Sequence, residues 1–293
     1  MSKKSLAFTQ TQGDIWLNGE FIPIKQANIP LLSHGLHYGS TVFEGERAYD
    51  GKIFKSDQHT RRLMRSCNLL GFDLPVDFET FEQAKRDLLQ RSGLQKAYFR
   101  AIAWKGSGAL GVGSSNNRVN AAISLWPMES YFDTASAGIR LDISAWQRPP
   151  PACAPVKAKA AGLYMICTLS KDKAMDNGYD DALMLDIKGR VSECTGAHIF
   201  FVRDGALFTP QKHWMIDGIT RASIIEIAKT RQIKVTETEI WPDDISGFSE
   251  CFIVGSAVEV VPVTEIKGTM FSPDSLSQQM VDDYQAMVYG RLG

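Results

Sequence analysis

Apolar and polar positions change period several times along the 293 residues, and the changes mark out the elements. From Ile15 to Phe21 the residues alternate around Asn18-Gly19. Asparagine and glycine tolerate the positive φ of a tight turn, so the pattern predicts an opening β-hairpin. Leu63, Cys67 and Leu70 then recur at spacings of four and three, which predicts a helix over residues 57–70 that Gly71 stops. A second helix fits Phe78 to Gln90, and strands fit Ala97 to Trp104 and Asn120 to Leu125. Residues 131–138 carry Asp133, Thr134, Ser136 and Gly138 with little periodicity, the pattern of a linker. Beyond it come a strand near 139–145, a loop with Pro149, Pro150, Pro151 and Pro155, and a helix from Tyr164 to Asn177 capped by Gly178. Strands at 181–186 and 191–202 flank Lys188-Gly189, another strand precedes residues 217–220, and a helix then runs to Arg231. The expectation is a mixed α/β (α+β) chain with an N-terminal domain over 1–131, a linker at 132–138 and a C-terminal domain over 139–293.

Composition narrows the function classes. With 44% hydrophobic and 22% charged residues, the chain has an ordinary globular balance and can bury a large core. Its 32 basic and 33 acidic residues form no long run of either sign, so no broad field draws nucleic acid or an anionic membrane. No apolar stretch reaches the length of a membrane-spanning helix. Five cysteines, at 67, 153, 167, 194 and 251, are an odd number without CxxC or metal-finger spacing, which implies reduced thiols and no metal site. A cytoplasmic protein acting on small molecules is expected.

The candidate chemistry lies in the second half. Lys157 and Lys159 stand among small residues in Val156-Lys157-Ala158-Lys159-Ala160-Ala161-Gly162-Leu163-Tyr164, and Glu193 follows Lys159 by 34 positions. A lysine works as a covalent amine catalyst only where its neighbours let a carbonyl approach, and alanine and glycine leave that room. Composition alone does not choose between the two lysines. Asp217-Gly218-Ile219-Thr220-Arg221 opens a helix-like run and Gly255-Ser256-Ala257 closes a strand-like one, and both suit a phosphate that takes backbone N–H groups and a hydroxyl. Lysine, acid and phosphate cradle together suggest a pyridoxal phosphate site. Gly106-Ser107-Gly108-Ala109-Leu110-Gly111 spells a dinucleotide fingerprint, but turn-rich Val112 to Asn117 follows it in place of a helix, so a pocket loop is expected there.

Taken in order, these segments resemble the branched-chain aminotransferase family, the fold type IV group of pyridoxal phosphate enzymes. The resemblance spans nearly the whole chain, from Trp16-Leu17-Asn18-Gly19 through His37-Tyr38-Gly39, Val42-Phe43-Glu44-Gly45-Glu46-Arg47-Ala48-Tyr49 and Ala97-Tyr98-Phe99-Arg100 to Val258-Glu259-Val260. It implies that Lys159 is the Schiff-base lysine, that Glu193 partners the pyridine nitrogen and that Tyr164 faces the phenolic oxygen. Arg62, Ile219, Thr220 and Ser256 match the phosphate ligands, Arg62 because a guanidinium forks onto phosphate oxygens. Tyr38, Phe43, Arg47, Tyr98, Arg100, Tyr131 and Ala257 match the substrate pocket, with some supplied across a homodimer interface. The implied reaction moves the amino group of L-leucine, L-isoleucine or L-valine to 2-oxoglutarate, with Arg100 for the acidic co-substrate and Phe43 and Tyr38 facing aliphatic side chains. The alternatives are a D-amino-acid or (R)-amine transaminase, an aminodeoxychorismate lyase, or a non-catalytic cofactor-binding homologue. Two positions depart from the pattern. His198 stands where the family signature has asparagine, and Met128 where relatives carry tryptophan.

Overall fold

A computed structural model describes residues 13–132 and 138–292. Most of the predicted linker at 132–138 therefore falls outside the described residues. One compact unit extends to Glu129 and also includes Ala158–Gly162; the other comprises Ser130–Lys157 and the chain from Leu163 onward. This corrects the sequence expectation at one place that matters: the lysine segment, assigned above to the C-terminal domain, packs with the first unit.

The first unit is an antiparallel sheet of six strands backed by helices. Its hairpin is β1 (Asp14–Leu17) and β2 (Glu20–Pro23), joined through Asn18 at φ 52° and Gly19 at φ 105°. The other strands are β3 (Thr41–Tyr49), β4 (Lys52–Ile53), β5 (Ala97–Lys105) and β6 (Val119–Trp126), in the order β2-β1-β6-β5-β3-β4. A short helix α1 (His34–Tyr38) precedes β3, and α2 (Ser56–Leu69) and α3 (Phe78–Ser92) follow β4. Asp77 caps α3 by accepting from the Thr80 N–H at 2.8 Å, and Gly93 ends it at φ 67°. Phe81, Leu88 and Leu89 of α3 and Leu63 and Cys67 of α2 form the buried stripe, with Trp16 edge-on to Phe81.

Strand period two has a particular consequence in β3. Glu44 and Glu46 both meet the helices, the former at Arg62 and His59, the latter at Lys85. Phe43, Gly45 and Arg47 consequently stand on the opposite face. The stretch resembling a dinucleotide fingerprint lies in the loop between β5 and β6, with no helix after it, as the sequence predicts.

The second unit carries the remaining strands: β7 (Ile139–Ile143), β8 (Asp181–Leu185), β9 (Val191–Cys194), β10 (His198–Arg203), β11 (Ala206–Pro210), β12 (Val235–Thr238), β13 (Glu250–Gly255), β14 (Glu259–Ile266) and β15 (Thr269–Met270). They run β12-β11-β10-β13-β14-β7-β8-β9, with β15 on β14, and the β7–β8, β7–β14 and β11–β12 pairs are parallel. The core is built from inward residues such as Leu141, Leu183, Ile199, Phe201, Ile253 and Val263. Helices α4 (Met165–Asp176), α5 (Ile219–Thr230) and α6 (Ser275–Val288) accompany the sheet. The single strand predicted over 191–202 is two strands, because Thr195-Gly196-Ala197 breaks the run between β9 and β10. No described helix is long and apolar enough to cross a membrane.

Candidate active site

The first unit presents a lysine whose main chain is tied down on both sides. The Lys159 N–H donates to Ser66 Oγ at 3.0 Å, and the Lys159 carbonyl accepts from the Phe43 N–H at 3.0 Å. Ser66 in turn donates to the Arg62 carbonyl at 2.8 Å, so Lys159 and Arg62 share an anchor on α2. Ala160 forms a bridge to Val42, and glycine suits the neighbouring approach: a Cβ built on Gly39 would stand 3.3 Å from the Gly162 Cα. The Lys159 ammonium position is 4.6 Å from the Phe43 ring centroid. By accessible surface the side chain is half-buried, yet protein atoms crowd its amine. Burial, reinforced by the Arg62 charge and opposed by Glu44, lowers the amine pKa from 10.5 to about 8.

Lys157, the alternative that composition left open, is placed differently. Its amine donates to the Lys212 carbonyl and lies 3.6 Å from Asp217, within the second unit. The structure thereby separates the two lysines.

Around Lys159 stand several residues that the sequence singled out. Arg62 is buried on α2 and meets Glu44 through Nε at 2.6 Å and Nη2 at 2.8 Å. His59 Nδ1 adds a 2.7 Å contact to the same carboxylate. Burial alone would raise the Glu44 pKa, but Arg62 and His59 hold it well below the ordinary carboxylate range. Arg100 lies over Phe43 at 4.9 Å and donates to the Tyr98 hydroxyl at 3.3 Å. Its buried Nε makes no hydrogen bond among the described residues, so this guanidinium retains donor capacity. Gly45 makes room for Tyr98: a Cβ there would meet the phenol oxygen at 2.0 Å. Arg47 donates to the carbonyls of Met128 and Glu129 at 2.8 and 2.9 Å, bonds that hold the end of the first unit's chain. Tyr38 is exposed, with its hydroxyl on the Leu110 carbonyl at 3.2 Å.

The second unit gathers the other candidates. Glu193 on β9 is buried, and Arg148 reaches its Oε1 at 2.9 Å while donating through Nη1 to Cys167 Sγ at 3.2 Å. Burial works against the Arg148 charge, but Glu193, Cys167 and Tyr164 together offset it and raise the guanidinium pKa. His198 opens β10 directly after the break, with Nδ1 3.9 Å from Glu193 Oε2. Its ring packs against Gly218: a Cβ at 218 would meet His198 Nε2 at 2.2 Å. Gly218 is the N-cap of α5, so Ile219 and Thr220, both buried, begin that helix and direct its first N–H groups outward, a geometry suited to an anion. Ser256 and Ala257 follow β13, half-buried in the turn before β14. Tyr164 is half-buried just ahead of α4, and Tyr131 is exposed with its ring 5.2 Å from the Lys171 amine.

Three participants escaped the sequence reading: Glu44, His59 and Arg148. Glu44 and Glu46 did carry a signal, two carboxylates at a spacing of two inside a strand, which puts both on the helix-facing side. Arg148 sits at the edge of a proline-rich loop and no periodicity marks it.

Comparison with known proteins places these features in a family. The model of the class IV aminotransferases matches residues 41–266. A probable branched-chain-amino-acid aminotransferase of Rickettsia bellii is 39% identical over 280 residues, which are 94% of this chain and 96% of the relative. The branched-chain-amino-acid aminotransferase of Pseudomonas aeruginosa is 32% identical and covers 90% of this chain and 88% of its own. Among solved structures, the Escherichia coli branched-chain amino acid aminotransferase superposes with a TM-score of 0.93 at 30% identity, covering 97% of both chains. The branched-chain aminotransferase of the archaeon Thermoproteus uzoniensis, solved with norvaline, superposes with a TM-score of 0.92 at 31% identity, covering 96% of both chains. That of Thermobaculum terrenum, solved in its PLP-bound holo form, superposes with a TM-score of 0.88 at 27% identity, covering 96% of this chain and 95% of its own. The chain is an enzyme of aminotransferase class IV and belongs to the branched-chain aminotransferase family, with fold type IV.

Proposed function

We propose that this enzyme moves the amino group of L-leucine, L-isoleucine or L-valine to 2-oxoglutarate with pyridoxal 5'-phosphate as cofactor. The observation that carries the reading is Lys159, its main chain anchored through Ser66 and Phe43 and its amine brought to a pKa of about 8. The donor set suits the cofactor: an amine of lowered basicity for the aldehyde, buried Arg62 and the α5 start for the phosphate, and the buried Glu193 carboxylate for a ring nitrogen. Lys159, Arg62, Tyr164, Glu193, Ile219, Thr220 and Ser256 are thus proposed to serve one cofactor.

When bound, the cofactor supplies an electron sink that acidifies the Cα–H of an amino acid. The protein does the rest. Lys159 Nζ, neutral in a useful fraction near pH 8, takes the Cα proton and returns it during the exchange. Glu193 would hold the ring nitrogen of the cofactor and favour its protonated form, and Arg148 keeps the Glu193 carboxylate in place. Phe43 and Tyr38 are the groups proposed to face a branched side chain, whereas Arg100 and Tyr98 offer N–H and hydroxyl groups to a second carboxylate. The under-bonded Arg100 guanidinium is the feature favouring a dicarboxylic acceptor.

A homodimer is proposed as well. Ile29, Leu31, Leu32 and Leu36 are exposed, as are Leu110 and Val112, and His34 and Tyr38 tie the two segments together through bonds to the Val112 and Leu110 carbonyls. Such a fixed apolar surface suits a second copy of the chain. A cytoplasmic location fits the family and the free cysteines.

The test is a substrate panel with 2-oxoglutarate as acceptor, comparing L-leucine, L-isoleucine, L-valine, D-alanine and (R)-1-phenylethylamine. Turnover of the three L-amino acids is expected, and Arg100→Met should raise the KM for 2-oxoglutarate about tenfold or more while sparing an aliphatic oxo-acid acceptor. Turnover of D-alanine or the amine alone would replace the proposal by the corresponding transaminase. Cofactor binding without any amine exchange would make the chain a silent homologue.

A further inference from the structure

Arg62 does not stand alone on α2. Its Nε and Nη2 close a two-pronged fork on Glu44, at 2.6 and 2.8 Å. Glu44 is in turn fixed from other directions. Its Oε2 also meets His59 Nδ1 at 2.7 Å and accepts from the Gly45 N–H at 3.3 Å. His59, Glu44 and Arg62 are all buried, and Glu44 and Arg62 come from different elements, strand β3 and helix α2. A bidentate guanidinium–carboxylate contact fixes the plane of the guanidinium as well as its distance. The Arg62 carbonyl, through Ser66, is on the same anchor as the Lys159 main chain.

We propose that Glu44, locked by His59, is a positioning residue that orients the Arg62 guanidinium toward a phosphate monoester. This inference rests on Arg62 being a phosphate ligand, as proposed above. Its physical content is preorganisation. A buried arginine with a free torsion must be ordered each time an anion binds, whereas one already held in plane loses little freedom. The opposing view makes the three residues a purely structural tie between β3 and α2. That view requires any weakening of the cluster to act equally on ligands with and without a phosphate.

The experiment compares pyridoxal 5'-phosphate with pyridoxal, titrated by fluorescence into wild-type, Glu44→Asp and His59→Gln apoprotein. Both variants keep the carboxylate charge, so a change in net charge at Glu44 does not enter. Glu44→Asp withdraws the carboxylate by one methylene and opens the fork; the Kd for the phosphorylated ligand should rise about tenfold, with the Kd for pyridoxal within about twofold of wild type. His59→Gln loosens the carboxylate but leaves the ion pair, and should give a smaller change, about threefold, again for the phosphorylated ligand only. Equal weakening of both ligands, or no weakening of either, overturns the proposal. Should Glu44→Asp fail to fold, His59→Gln decides by the same comparison. A wild-type protein that binds the two ligands equally well would instead remove Arg62 as a phosphate ligand, an outcome distinct from the variants' results.

Discussion

Replacing Lys159 by methionine should make the apoprotein more stable at neutral pH, and by an amount that depends on pH in a defined direction. The folded chain lowers the amine pKa from 10.5 to about 8, chiefly by burial. Between those values the unfolded chain binds a proton that the folded chain does not, so wild-type stability rises with pH across this window. At pH 7 the two pKa values put the cost of keeping Lys159 at no more than about 3 kcal/mol, a ceiling because the side chain is only half-buried. At pH 9 the folded-state amine is mostly neutral and the cost falls to about 2 kcal/mol. Methionine packs without a charge and has no such term. Urea unfolding of both proteins at pH 7, 8 and 9 reads the difference directly. The expected gap favours Lys159→Met and narrows by about 1 kcal/mol from pH 7 to 9. A gap that stays constant, or widens, would refute the lowered basicity and with it the neutral amine on which the chemistry depends.

Other consequences can be checked in the same protein. Gly218→Ala puts a methyl 2.2 Å from His198 Nε2, so either the imidazole or the α5 start must move; a loss of about 1–3 kcal/mol and weaker binding of pyridoxal 5'-phosphate are expected, and an unchanged melting temperature would contradict the packing. Arg148→Met removes the cation 2.9 Å from buried Glu193 and should cost about 3–5 kcal/mol in chemical denaturation, most of it regained when Glu193→Gln is added. A single variant as stable as wild type would show that the pair is not desolvated.

Local periodicity carried much of the fold. The hairpin at Asn18-Gly19, the helices α2, α3 and α4 and strands β5, β6 and β8 all coincide with segments marked by apolar spacing, strand-forming runs and glycine stops, because these are local signals. What the sequence did not show depends on contacts distant in the chain. Nothing near Lys159 announces that Ala158–Gly162 packs with the first unit; that follows from the Ala160–Val42 bridge and the Phe43 and Ser66 bonds, over a hundred and over ninety residues away respectively. The break at 195–197 was likewise hidden, since Val191 to Val202 reads as one strand until Gly196 is given weight. For the candidate site, small neighbours marked Lys157 and Lys159 alike and the resemblance singled out Lys159 and Glu193, whereas Glu44, His59 and Arg148 are ordinary charged residues until the fold buries them. His198, a departure from the family signature, proves to be a packing element between Glu193 and Gly218.

The most direct test of the central claim is to load the protein with pyridoxal 5'-phosphate, reduce it with borohydride and sequence the labelled peptide by mass spectrometry. The phosphopyridoxyl group should be on Lys159 and on no other lysine. A label on Lys157, or a protein that stays unlabelled at saturating cofactor, would contradict the account.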